Sequence, residues 1–61
     1  MSALSYSRAG AVDATSLSED EIDRAIREGR LRAKKQGRRV VILRSALEDF
    51  LESLDDYEAK R

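Results

Sequence analysis

Two glycines and the residues between and before them decide most of what this chain can become. Ile22, Ala25 and Ile26 recur at i, i+3 and i+4, the apolar stripe of an amphipathic helix. Ser18 stands before the stripe as an N-cap, and Glu21 follows three residues on, the spacing of a capping box. Glu19, Asp20 and Glu21 also suit the positive end of a helix dipole. Gly29 then closes the helix in the C′ position. Beyond it, Leu31 and Ala33 alternate with Arg32 and Lys34 as in a half-buried strand. Gln36-Gly37 supplies a turn, and the β-branched run Val40-Val41-Ile42-Leu43 reads as the returning strand.

Charge follows the same division. Residues 30–44 carry seven basic side chains (Arg30, Arg32, Lys34, Lys35, Arg38, Arg39, Arg44) and no acid. Residues 1–29 carry three basic and six acidic groups, and residues 45–61 carry two and six. The formal net charge is zero, which argues against a generic nucleic-acid coat protein, whose affinity comes from phosphate neutralisation. The segregation is the informative quantity. The basic ribbon is either a solvated face or a surface for an anionic partner.

On either side of this stretch the signals are helical. Ser7 is an N-cap for a first helix over RAGAVDAT, with Ala9, Ala11 and Val12 as a narrow apolar face. Gly10 weakens that helix by about 1 kcal/mol relative to alanine. Thr15-Ser16-Leu17 interrupts it, and two helices joined by so short a turn are the minimal helix-turn-helix. At the other end Ser45 reads as an N-cap with Glu48 three residues later. Leu47, Phe50, Leu51 and Leu54 form the stripe that this last helix must bury, opposite Glu48, Asp49, Glu52, Asp55 and Asp56. Residues 1–3 and 57–61 are expected as loose ends, with Met1 to Ser5 either frayed or an extended lead-in. The expected architecture is a small α+β fold in a single domain with its core at about residues 4–54, ordered helix, helix, two-stranded β-hairpin, helix. Its core would draw on Val12, Leu17, Ile22, Ile26, Leu31, Val40, Ile42, Leu47, Phe50, Leu51 and Leu54.

Several functions are excluded by what is missing. Without cysteine there is no disulfide and no thiolate metal site, and without histidine the commonest base and metal ligand are gone. Gly10, Gly29 and Gly37 are isolated, so no glycine loop cradles a phosphate. The expectation is a protein with no catalytic residue, no metal, no cofactor and no small-molecule ligand. No apolar run approaches the roughly 18 residues of a membrane span, so a soluble cytoplasmic protein is expected. A chain of 61 residues buries only about 60% of its unfolded surface, and a bound partner or self-association would add stability.

A hairpin with basic residues on both arms of its tip can lie along a groove of double-stranded DNA and meet phosphates on either side. Such contacts give affinity and register but little sequence information. With Ile22, Ala25 and Ile26 inward, the helix presents Asp20, Asp23, Arg24 and Arg27 outward. One reading makes Asp20–Arg24 and Asp23–Arg27 self-paired i, i+4 couples, worth about 0.2–0.5 kcal/mol each. The other has Arg24 or Arg27 reading guanine while an acid accepts from a cytosine amino group.

The string AIREGRLRAKKQGRRVVILRSALEDFLESL resembles the core of the excisionase-like, MerR-type winged helix-turn-helix proteins. Ile26, Gly29, Leu31, Ala33, Gly37, Arg38, Ile42, Leu47, Phe50 and Leu51 fit that family's pattern, and YSRAGAVDATSLSEDEI aligns in length with its first helix and turn. The resemblance implies DNA binding, with Ser18 to Arg27, including Ser18 and Glu19, as the recognition helix. It makes Lys34 to Arg39 the wing, in which Lys35, Gln36 and Gly37 lie between the basic arms; Arg32 extends its basic edge. It further implies an excisionase that bends attachment-site DNA and directs an integrase, or a small transcription regulator. Charge opposition between the wing and Glu48, Asp49, Glu52 or Asp55 suggests head-to-tail self-association on DNA. Two positions depart from the pattern: Ser16 stands where glycine is frequent, and Glu19-Asp20-Glu21 where basic or hydroxyl residues are frequent. Those acids either turn the helix toward cytosine or turn it away from DNA, and a protein-interaction module that has lost DNA is the alternative.

Overall fold

The computed structural model of the chain describes residues 3–57. Strand β1 (Ser5–Tyr6) leads into helix α1 (Arg8–Thr15), then helix α2 (Glu19–Arg27). Strands β2 (Lys34–Gln36) and β3 (Arg39–Leu43) form a hairpin, and helix α3 (Arg44–Glu52) closes the order. This is a small α+β winged helix-turn-helix. The expected order holds, with one strand added at the front.

Local chemistry explains each boundary of the first two helices. The Ser7 hydroxyl accepts from the Gly10 amide at 3.0 Å and starts α1. Ser16 ends it in the left-handed region at φ 64°, its amide donating to the Val12 carbonyl at 2.8 Å. The Ser18–Glu21 capping box forms in both directions, at 2.8 Å and 3.1 Å. At the far end of α2 the Gly29 amide donates to Ile26 and the Arg30 amide to Ala25, the two bonds of a Schellman motif. Gly29 takes φ +80° there, a conformation that would strain a side chain.

The hairpin differs from the expectation in extent and register. Its first strand begins only at Lys34, although the inward alternation of Leu31 and Ala33 survives in the lead-in: Leu31 is buried and Ala33 half-buried. Gln36 pairs with Arg39, so the loop is Gly37-Arg38 and not Gln36-Gly37. Gly37 has positive φ and Arg38 does not, the pattern of a type II′ turn. β3 is the central strand because β1 pairs on its other edge, Ser5 with Leu43 and Tyr6 with Ile42. Of the expected lead-in, Ser5 is therefore sheet, and residues 1–2 lie outside the described residues. A two-residue strand carries no periodicity, so only its partner could reveal it.

Two further expectations are corrected. Ser45 does not cap α3: β3 runs directly into the helix, Leu43 is the capping residue without a side-chain bond, and the Arg44 amide donates to the Leu4 carbonyl at 2.9 Å. The strand pairing supplies the partner that a serine would have supplied. Leu51 and Leu54 are 39% and 41% exposed, because α3 stops at Glu52 and the rest of the fold lies along its Leu47–Phe50 side. The Ser53 hydroxyl donates to the Phe50 carbonyl at this end.

The core consists of Ala11, Ile22, Ala25, Leu31, Ile42, Leu47 and Phe50, with Tyr6, Val12, Leu17, Ile26, Ala33 and Val40 packed against it. Ala9, expected inward, is exposed, and Ala11 takes the buried place on α1. Alanines at Ala11 and Ala25 let the helices approach closely, which a search for large apolar residues overlooks. The guanidinium of Arg30 lies 5.7 Å from the Phe50 ring centroid and covers its outer face. Of the ends expected to be loose, residues 1–2 and 58–61 lie outside the described residues.

Candidate nucleic-acid interface

α2 is held by its buried Ile22 and Ala25, and this fixes where its polar residues point. Asp23 and Arg27 turn toward the hairpin, where with Arg8, Ile26 and Val40 they line a valley of about 260 Å³. The valley continues past Arg8 and Val40 into a cavity of about 320 Å³, whose lining adds Ser7, Ala9, Glu19, Arg38 and Arg39. Glu19, Asp23, Arg27, Arg38 and Arg39 are thus brought to one surface between helix and wing.

The remaining expected site residues are placed elsewhere. Arg24 lies on the opposite flank of α2, lining a groove with Leu17, Glu21, Arg30, Phe50 and Leu54. Arg32 and Lys34 line a groove of about 430 Å³ whose other wall is α3, through Ser45, Ala46 and Asp49. Lys35, Gln36 and Gly37 are exposed at the wing, and Asp20 is exposed at the start of α2. The Ser18 hydroxyl and amide are both engaged in the capping box.

Charge pairing also departs from the expectation. Neither Asp20–Arg24 nor Asp23–Arg27 forms. Asp23 instead accepts from Arg8 at 3.1 Å, across the two helices. Arg30 pairs with Glu28 at 2.8 Å and Arg44 with Glu48 at 3.1 Å. Among the described residues no ion pair engages Arg32, Lys34, Lys35, Arg38 or Arg39, nor Arg24 or Arg27. The acidic start of α2 is partly spent within the fold. Glu21 folds back on Ser18, whose backbone amide and then hydroxyl hold its carboxyl below the usual value, and Asp23 is occupied by Arg8. Among the described residues Glu19 and Asp20 are left without an ion pair.

Sequence reasoning missed Arg8. Its isolated position gave no periodic signal, since only the α1–α2 packing brings it over Asp23 and beside the wing. Arginines on the wing and on one flank of α2 thus gather positive charge on one surface beside a helix of nine residues.

A family model described as a helix-turn-helix domain matches residues 11–55, from within α1 to just past α3. Comparisons with curated proteins and with solved structures give no significant match. With the matched helices, turn and wing all in place, the chain belongs to the helix-turn-helix domain family, a family of DNA-binding domains.

Proposed function

We propose that the chain binds double-stranded DNA with α2 in the major groove and the Lys34–Arg39 wing on the flanking backbone. The observation that carries this reading is the shared valley: Arg27 on α2 and Arg38 and Arg39 on the wing line contiguous surfaces, free of ion pairs among the described residues. Arg38, Arg39 and Lys35 supply affinity and register. Arg27 supplies base contact and Arg24, on the far flank, does not. Arg32 and Lys34 border the α3 side and contribute to the general field.

The role we assign is architectural. Resemblance to excisionase-like proteins favours a factor that bends attachment-site DNA and directs an integrase, acting at the nucleoid. α3 offers the surface for the neighbouring protein, since Leu51 and Leu54 are about two-fifths exposed beside Glu48, Glu52 and Asp55. That acidic and apolar face suits an integrase or the basic wing of a second copy. A plain transcription regulator would use the same DNA contacts. Circularly permuted duplexes carrying a selected site test the bending that the architectural role requires: position-dependent mobility of the complex supports it. Mobility independent of site position would contradict it and leave a regulator.

A further inference from the structure

Resting on the DNA-binding reading, we propose that the cavity between the start of α1 and the wing is a seat for one backbone phosphate. In it Arg8 is the third cation beside Arg38 and Arg39, Asp23 positions Arg8, and Glu19 opposes binding. Arg8 lies outside residues 11–55, so the family match assigns it no role.

The geometry carries the assignment. Arg8, Arg38 and Arg39 come from two separate elements yet line one cavity of about 320 Å³, large enough for a phosphate group. Three arginines against the one carboxylate of Glu19 leave the cavity lining with a net positive charge, which favours an anion there. Arg8 is kept there by Asp23, whose carboxylate it meets at 3.1 Å while the Arg8 side chain stays 51% exposed. That leaves donors on its fork for a second oxygen, since a guanidinium carries five N–H groups. Ser7 takes the Gly10 amide as its cap, so α1 begins at the cavity wall with its positive end toward it.

The carboxylates divide into different roles by the same geometry. Asp23 is engaged by Arg8 and is therefore a positioning residue and not a reader of cytosine. Glu19 lines the cavity without an ion pair among the described residues, and its negative charge lies against the incoming phosphate. Removing that charge strengthens binding to every sequence. A Glu19 that read cytosine would show the opposite.

The test is duplex binding across salt concentrations for the full chain and for Arg8→Gln, Glu19→Gln and Arg30→Gln. Arg30 lies over Phe50 and pairs with Glu28, so it serves as the control cation away from the cavity. Losing one phosphate contact lowers the salt slope by about 0.9, so between 50 and 200 mM salt Arg8→Gln loses about 3.5-fold less affinity than the wild type. Arg30→Gln keeps the wild-type slope. Glu19→Gln binds selected and random duplexes more tightly by the same factor. An unchanged slope in Arg8→Gln, or a Glu19→Gln that loses affinity for the selected site alone, overturns the proposal.

A second arm separates this seat from the DNA reading and a duplex phosphate from a free one. Inorganic phosphate, added at constant ionic strength, is followed by the amide resonances of Ser7, Arg8 and Ala9. Saturable shifts that Arg8→Gln abolishes support the seat even if no duplex binds, in which case the DNA reading fails and the seat belongs to a free phosphate. Duplex binding with a slope that ignores Arg8, and no phosphate-dependent shifts, removes the seat and leaves the DNA reading standing.

Discussion

Ser16→Gly should stabilise the protein, although it replaces a side chain with none. Ser16 sits at φ 64° and ψ 11°, is exposed, and stands between α1 and the capping box of α2. A left-handed conformation costs a residue with a Cβ about 1–2 kcal/mol, and glycine escapes that cost. Against this, glycine makes the unfolded chain more flexible, worth about 0.4–1 kcal/mol. The net gain is about 0.5–1 kcal/mol. Unfolding entropies near 2.1 cal/mol/K per residue, scaled to 61 residues, convert that to a rise in Tm of about 4–8 °C. Thermal unfolding followed by circular dichroism reads it directly. Ser16→Ala is the control, since it keeps the Cβ in the same conformation and gains nothing from this source. A Ser16→Gly variant that melts at or below the wild-type temperature would refute the reasoning. The turn would then owe its shape to something other than backbone strain relieved by glycine.

Other perturbations test separate parts of the account. The Glu21 carboxyl is held below its ordinary value of 4.5 by Ser18, so its stabilising effect is full above about pH 4.5 and disappears as pH falls through the lower folded value. Wild type should therefore lose stability relative to Glu21→Gln below pH 4.5 in denaturant titrations, and a constant difference from pH 7 to pH 3 would contradict the capping role. Arg27→Ala should lose affinity for a selected site while keeping its affinity for random duplex, whereas Arg24→Ala should change the two by the same small factor. Equal loss on both duplexes for Arg27→Ala would remove it from base contact.

What the sequence made legible was whatever is local. Ser18 with Glu21, the stripe Ile22–Ala25–Ile26 and Gly29 each state a boundary or a face within one turn of helix, and all appear where the spacing put them. Ser7 at the head of α1 is of the same kind. The misreadings arise where a distant segment supplies the partner. Ser45 looked like a cap because the Arg44 amide's true acceptor, the Leu4 carbonyl, lies some forty residues away. Asp23 looked like a partner for Arg27 because Arg8 enters only when the helices pack. The hairpin loop moved by one residue because Gly37 can occupy the first or the second place of a tight turn, and the pairing of Gln36 with Arg39 decides which. Leu51 and Leu54 continue the apolar stripe of α3, yet among the described residues nothing reaches far enough to cover them fully.

The division of the basic residues was hidden for a related reason. In the sequence Arg32 to Arg39 is one charged run, but the chain reverses at Gly37-Arg38 and a helix lies on each flank of the hairpin. Arg38 and Arg39 line the surface beside α1 and α2, and Arg32 and Lys34 line the groove against α3. Only the first pair shares a surface with Arg27.

The central claim is that the valley between α2 and the wing binds DNA, and it is tested most directly by titrating the wild-type protein against selected and random duplexes across salt concentrations. The account predicts affinity that falls as salt rises, with a slope near −0.9 for each phosphate contacted, and tighter binding to the selected site at every salt. Absence of binding to either duplex even at low salt would contradict it.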